Sequence, residues 1–374
     1  MNSQELSSVL SAFSKLVSAK AIAMPYRCIE LSPVGIRGCS VFGIMERKVP
    51  LPINQVCCVN GTVFIALVNS MTSNQPVELV SGDTTVTWKC GTASGRLATI
   101  PLAEGDIPKI GRRMQRSWKT TTDFVEALKL GSISCDDRAL AATGMYGVSI
   151  DLSKNASVVS TDGSTLSEYR FDGIMTGSAS PPLTFSPDSI SLMSQVIQPG
   201  QGSLDIDESG MYYHDTNTKL IVVTCTAPKL KDTKDIIDKY QTRKLMVPLP
   251  QAIIRTFVSR VEAMAAVANF ARVILSVESG KIILKFAEDT ADSEEYHLLD
   301  KQYKIPKLSP ISLNAGKLAR ALKSTDSIVL DYINQHIIVQ QKTAVLLLHL
   351  GSTRITKGAV SWGSGHPTKS NLRL

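Results

Sequence analysis

The chain has 374 residues, 43% of them hydrophobic and 20% charged. That is the balance of an ordinary soluble globular protein, and more residues than one core usually organises, so two or three domains are expected. The formal net charge of +7 favours a polyanionic partner such as nucleic acid. No apolar run reaches the roughly 18 residues that a membrane span needs, and the opening MNSQELSSVLSAFSKL lacks the order of a signal peptide, so a cytoplasmic protein is expected.

In chain order, an amphipathic helix is predicted over Glu5–Val17, followed by strands within Cys28–Phe42 and a short helical pattern over Ile53–Val59. Val77–Lys89 (VELVSGDTTVTWK) reads as strand, polar turn and strand, and a further strand follows at Leu97–Ile100. A basic cluster of Lys109, Arg112, Arg113, Arg116 and Lys119 comes next. The same order then returns: a helix at Thr122–Leu130, strands within Met145–Ser160, a helix at Ser186–Ile197, paired strands in Leu204–His214 and a strand at Leu220–Cys225.

After the charged stretch KDTKDIIDKYQTRK it returns once more. A helix is predicted over Pro250–Met264, with Ile253, Ile254, Phe257, Val258 and Val261 at helical spacing. Strands within Arg272–Phe286 flank the hairpin turn ESGK, a helix covers Ala315–Leu322, paired strands lie in Ile328–Gln340, and Val345–Leu350 closes the pattern. The units recur roughly 125 residues apart, near the usual size of one domain. The reading is therefore α+β: three similar domains, each with two helices and antiparallel sheets, at residues 1–117, 118–244 and 245–352. A basic extension, 353–374, carries Arg354, Lys357, Lys369 and Arg373 and no acid.

Catalytic chemistry finds little support. The seven cysteines form no Cys-x-x-Cys pair and read as buried, reduced thiols, and the five histidines are scattered, so no metal site is expected. Gly-x-Gly-x-x-Gly, the P-loop, Gly-x-Ser-x-Gly and His-Glu-x-x-His are all missing. Asp136 and Asp137 are adjacent, so they diverge on either a helix or a strand, and Glu294 and Glu295 are likewise neighbours. No cofactor and no enzyme activity are expected. The stretch VVSTDGSTLSEY (Val158–Tyr169) places an acid and a glycine among hydroxyls, but nothing near it in sequence supplies a base, a metal cluster or a phosphate cradle.

That stretch carries a resemblance. Val159–Leu166 (VSTDGSTL) resembles the V-A-T-D-G-H-R-L segment of the bacterial sliding clamps, the beta subunit of DNA polymerase III. Gly144–Val148 is similar to the family's strand start in its middle domain. Leu97–Pro101 with Asp106-Ile107-Pro108 resembles S-T-L-P…D-F-P, and Arg272–Phe286 and Asn314–Lys323 fall where the family has a hairpin and a helix. The resemblance runs from residue 1 to about 350. It departs at Ser164-Thr165, where the family has His-Arg, at Lys231–Asp235 (KDTKD), where it has F-P-D, in the basic net charge, and in the 24 residues beyond Leu350. A divergent bacterial or bacteriophage clamp is the expectation.

The resemblance implies a DNA clamp fold in which two copies close head-to-tail into a ring around double-stranded DNA. It implies a DNA polymerase and a clamp-loader ATPase as partners, no membrane and no cofactor. Sequence-independent phosphate contacts would come from Lys15, Lys20, Lys129, Arg255, Arg260, Lys317, Arg320 and Lys323, although a solvated helix face would use the same residues. A partner-peptide pocket would comprise Met145, Thr161, Gly163, Leu166 and Ile237 with Leu346, Leu348 and Leu350. Strand alternation would set those last three on one side, although ordinary core packing would also suit them. The dimer contact would join Leu97, Thr99 and Ile100 to the Val261–Phe270 region, including Ala263. The alternatives are a non-ring viral or structural DNA-binding protein of repeated β-rich domains, or a metal-dependent nuclease.

Overall fold

The first helix, α1 (Ser3–Ser11), starts at a capping box: Asn2 accepts from the Glu5 amide at 2.8 Å and Glu5 accepts from the Asn2 amide at 3.0 Å, which satisfies two helix-start donors. It breaks at Ala12 before α2 (Phe13–Leu16), so the single predicted helix is two short ones with Leu6, Leu10, Phe13 and Leu16 buried on a common side. These belong to a computed structural model that describes residues 1–72, 74–111, 118–135, 147–153, 155–162, 165–172, 182–225, 247–248, 252, 255–256, 259–260, 272–278, 281–287, 295–297, 311–324, 327–331, 336–341 and 344–349.

The first repeat continues with β1 (Cys28–Ser32), β2 (Gly35–Ser40), β3 (Gly43–Lys48), β4 (Cys57–Asn60), α3 (Gly61–Ser70), β5 (Val77–Ser81), β6 (Thr85–Cys90) and β7 (Ala93–Ala98). The second has β8 (Trp118–Lys119), α4 (Thr122–Leu130), β9 (Val148–Asp151), β10 (Asn155–Thr161), β11 (Thr165–Asp172), β12 (Leu183–Phe185), α5 (Pro187–Val196), β13 (Ser203–Asp207), β14 (Gly210–His214) and β15 (Thr218–Val223). The third has β16 (Val247–Pro248), helical residues among 252–260, β17 (Arg272–Glu278), β18 (Lys281–Ala287), β19 (Glu295–His297), β20 (Ile311–Asn314), α6 (Ala315–Leu322), β21 (Ser327–Asp331), β22 (His336–Gln341) and β23 (Ala344–His349).

Helices α4 and α6 lie where their apolar spacing predicts. The helix expected at Ile53–Val59 does not: Cys57–Asn60 is strand β4, and the helix follows at Gly61–Ser70, opened by Asn60, whose side chain accepts from Val63 at 3.0 Å. Its sequence GTVFIALVNS is apolar over most of its circumference, with only Thr62, Asn69 and Ser70 polar, so the periodic signal is weak.

Two antiparallel eight-stranded sheets run across the repeat junctions, in the orders β4-β1-β2-β3-β15-β14-β13-β8 and β12-β9-β10-β11-β23-β22-β21-β16. In each, four strands come from one repeat and four from the next. The remaining strands make two smaller sheets, β5-β6-β7 in the first repeat and β19-β18-β17-β20 in the third. Sequence spacing alone does not reveal these joints, because β11 and β23 are far apart in the chain.

The repeats also correspond residue by residue. The caps of the three second helices are Asn60, Ser186 and Asn314, each accepting from the amide three residues on. Counting across from these caps, Ile29, Val148 and Val273 are all fully buried at one register position. Their partners Gly38, Ser160 and Phe286 adjoin Arg37, Val159 and Lys285. These last three face Glu46, Glu168 and Glu295. A glutamate therefore occupies the same place on β3, β11 and β19.

The main core runs through the first two repeats, from Leu6 and Phe64 to Phe124, Phe185 and Tyr213. Burying a leucine or phenylalanine of this kind contributes about 1.5–3 kcal/mol. Ser160 donates to the Gly131 carbonyl at 2.7 Å, which draws the end of α4 onto β10; a Cβ on Gly131 would lie 2.4 Å from the Val158 carbonyl oxygen. Cys28 and Cys39 form a smaller core with Ile107. Burial, with a lesser push from nearby acidic groups, raises the Cys57 thiol to about 11 and the Cys58 thiol to about 12, so both stay protonated at neutral pH. Among the described residues, no helix is long and apolar enough to cross a membrane.

Candidate nucleic-acid interface and partner groove

Helices of all three repeats meet around one cleft of about 480 Å³. Lys15 reaches it from α2, Lys129 from the last turn of α4, and Lys317 and Arg320 from α6, while the N-terminal turn of α5 brings Pro187 and a single carboxylate, Asp188. Lys15, Lys129 and Arg320 are exposed, and a cleft lined mainly by one sign of charge concentrates its field on an incoming anion. Four of the eight cations expected to touch phosphate are thus brought together by helices from three separate parts of the chain.

The other four stand apart from that cleft. Lys20 is exposed in the turn after α2, and Lys323 is exposed just past α6. Arg255 donates from Nε to the Leu322 carbonyl at 3.0 Å, tying the third repeat's first helix to the end of α6, and Arg260 is exposed on the same segment as Arg255.

Lys317 departs from the expected solvent-facing stripe with Arg320 and Lys323. It is 3% exposed, and its ammonium donates to the Asp162 carboxylate and, at 3.0 Å, to the Ser134 carbonyl. Three-residue spacing puts residues near one another on a helix, but it does not tell which of them a neighbouring repeat will cover.

Asp162 is the acid of the TDG stretch, and its surroundings settle what it does there. One carboxylate oxygen accepts from the Thr165 amide at 2.6 Å and the Thr165 hydroxyl at 2.9 Å, closing the turn from β10 to β11, while the other receives Lys317. Burial pushes this carboxyl up, but the Lys317 charge and the bonds from Lys317 and Thr165 outweigh it and hold the group below its ordinary value. It is a structural anion with its acceptor sites engaged. Among the described residues, no group of three His, Cys, Asp or Glu is placed to hold a metal.

The strand leaving this turn joins the third repeat. Leu166 lies opposite Leu348, and Thr165 opposite His349, where β11 pairs with β23. The two halves of the expected peptide pocket are therefore sheet neighbours. Leu166 is 1% exposed, and Thr161 is 6% exposed with its hydroxyl given to the Thr165 carbonyl at 2.6 Å, so both support the wall of that seam from below its surface. Register shifts in both pairings of β23 skip Leu346, so strict alternation from Leu346 to Leu348 is interrupted by a bulge. Met145, Gly163, Ile237 and Leu350 lie outside the described residues, as does Ala263 of the expected dimer contact.

At the other end of the chain, Leu97 lies on β7, the last strand of its sheet. Thr99 and Ile100 turn back instead: Thr99 bridges to Val59, and the Ile100 amide donates to Cys58 at 2.8 Å. They serve the first repeat's own sheet, because the chain bends off the edge after Ala98.

Solved structures share this arrangement over nearly their whole length. The Helicobacter pylori beta clamp bound to a DNA ligase peptide superposes with a TM-score of 0.67 at 13% identity, covering 93% of this chain and 98% of that one. The Bacillus subtilis DNA polymerase sliding clamp gives 0.66 at 12% identity, covering 93% and 96%. The Pseudomonas aeruginosa DNA polymerase III subunit beta gives 0.64 at 11% identity, covering 93% and 98%. This chain has the sliding-clamp fold. No protein-family model matches its sequence, and no curated protein does. The fold is therefore shared at only 11–13% identity with these structures.

Proposed function

We propose that this protein is a DNA sliding clamp, a processivity factor in which two copies close head-to-tail around duplex DNA and tether a replicative polymerase. The observation that carries this reading is the meeting of Lys15, Lys129 and Arg320, from helices of three repeats, around one cleft of a clamp-fold chain. Cations on rigid helices hold phosphates without reading bases, which permits sliding. Enclosure then keeps the polymerase at an effective concentration of order mM, so the protein works by topology and needs no catalytic group.

Three clamp domains, at residues 1–117, 118–244 and 245–352, follow from the recurring element order. The seam where Leu166 meets Leu348 is the site for a linear peptide with an apolar anchor, carried by the polymerase and by the clamp-loader ATPase that opens the ring. The H. pylori clamp holds a DNA ligase peptide, which makes repair enzymes a further partner class. The protein acts in the cytoplasm on replicating DNA. A full-length clamp fold favours this over a non-ring repeat protein or a nuclease.

The test is retention on DNA of different topology. Loaded on nicked circular DNA, the protein resists moderate salt and runs off once the circle is cut. Equal retention on linear and circular DNA at high salt would end the sliding reading.

A further inference from the structure

The walls of the cleft differ in charge. Lys15, Lys129 and Arg320 reach it from α2, α4 and α6, and all three are exposed. The wall made by α5 carries no cation. Its sequence PDSISLMSQV brings Asp188, Ser191 and Ser194 to the cleft, three residues apart and therefore close to one stripe. Asp188 is exposed as well.

The start of the helix fixes where this carboxylate stands. Ser186 caps α5, accepting from the Ser189 amide at 3.0 Å, and Pro187 takes the first helical position, where its φ already suits a helix. A helix dipole favours an acid in the first turn, which would account for Asp188 without any DNA. The corresponding helices of the other repeats show that the fold does not require one. Thr62 and Gly316 stand at the same place after the caps Asn60 and Asn314, and neither α3 nor α6 has an acid in its first turn. Of these three helices only α5 carries one, and it carries it into the cleft.

We propose that Asp188 is a built-in competitor for DNA phosphate, an anion that the exposed cations can take up between one phosphate contact and the next. Lys317 supplies the contrast. Its ammonium is given to Asp162 in a buried pair, which withdraws that cation from exchange. Asp188 and the cations across from it are exposed, and ion pairs of that kind are weak enough to trade partners. As the duplex advances, a lysine or arginine leaving one phosphate has a carboxylate to turn to before the next phosphate arrives. The energy of each step is levelled, and the DNA is held without being gripped. This rests on the sliding-clamp reading, in which the cleft faces DNA.

Fluorescence anisotropy with a short duplex at about 100 mM NaCl, and single-molecule tracking of protein loaded on long DNA, test it. Asp188→Asn binds about two- to fivefold more tightly, the range that one exposed ion pair represents, and diffuses along the DNA more slowly. Glu208→Gln removes the same charge from an exposed acid in the turn between β13 and β14, outside the cleft, and has a smaller effect on both. Asp188→Glu keeps the native affinity and the native diffusion. An Asp188→Asn chain no tighter and no slower than Glu208→Gln would overturn the role of Asp188 and leave the DNA cleft standing. If Lys129→Glu bound DNA as well as the native chain, the cleft reading itself would fall.

Discussion

Lys317, on a helix of the third repeat, gives its ammonium to Asp162 in a turn of the second and, at 3.0 Å, to the carbonyl of Ser134 beyond α4. One buried cation thus fixes helix α6 against the hairpin that leads into β11. Breaking a buried pair from one side strands a charge, at a cost of about 3–5 kcal/mol, whereas replacing both partners costs far less. Lys317→Met is expected to lower unfolding stability by that amount in urea titrations, and Lys317→Met with Asp162→Asn to recover much of it.

The same pair sets a pH dependence. The Asp162 carboxyl is held below its ordinary value in the folded protein, so its stabilisation is present above the unfolded pKa of about 3.9 and is lost as pH falls through the folded one. The stability advantage of the native chain over the Lys317→Met/Asp162→Asn chain should hold from pH 7 to about 4 and shrink below that. Urea titrations across this range check it; an advantage that grows in acid would contradict the assignment.

Charge reversal at the cleft separates binding from folding. Lys15, Lys129 and Arg320 are exposed, so changing each to Glu should leave thermal unfolding nearly unmoved while weakening DNA binding for every sequence alike. For each phosphate that is no longer neutralised, the slope of log K against log salt should become shallower by about 0.9. Fluorescence anisotropy with unrelated duplexes over a salt series measures both effects.

At the partner seam, Leu348→Asp should abolish binding of an apolar-anchored polymerase peptide while the oligomer's mass stays unchanged. Calorimetric titration of the peptide, beside sedimentation of the variant, checks this. Truncation after Gly351 tests whether the basic extension competes for the same surface: tighter peptide binding in the truncated chain would show that it does.

The joint of the first two repeats makes a different demand. Glu46 accepts from the Ile110 amide at 2.7 Å while facing Arg37 and Lys219. Glu46→Ala leaves that amide without its acceptor, while Arg37 keeps Glu30 and Lys219 keeps the Ile110 carbonyl. A loss of about 1–3 kcal/mol is expected in thermal or urea unfolding, with Glu46→Gln falling between it and the native chain.

How much of this the sequence discloses depends on distance along the chain. Thr122–Leu130 and Ala315–Leu322 are legible because their apolar residues recur at helical spacing against polar ones. The helix Gly61–Ser70 is not, since Val63, Phe64, Ile65, Leu67 and Val68 cover more than half of its circumference and leave only a short polar strip. The threefold order emerges from local patterns alone, and Lys15, Lys129 and Arg320 follow from it. Burial of Lys317 does not, because Asp162 lies more than 150 residues earlier and only the β11–β23 joint brings them together. The bulge at Leu346 is equally hidden: VLLLHL is a nearly continuous apolar run with nothing to mark a break, and the irregularity is seen only in its pairing with the strands on either side.

Both inner joints are unbroken sheet, with backbone bonds continuing from β3 to β15 and from β11 to β23. They behave as welds, not hinges. A bending load on either weld spreads over eight strands. Whatever strains the chain, the junctions between repeats resist it as continuous sheet, and the give lies in the turns and caps between strands.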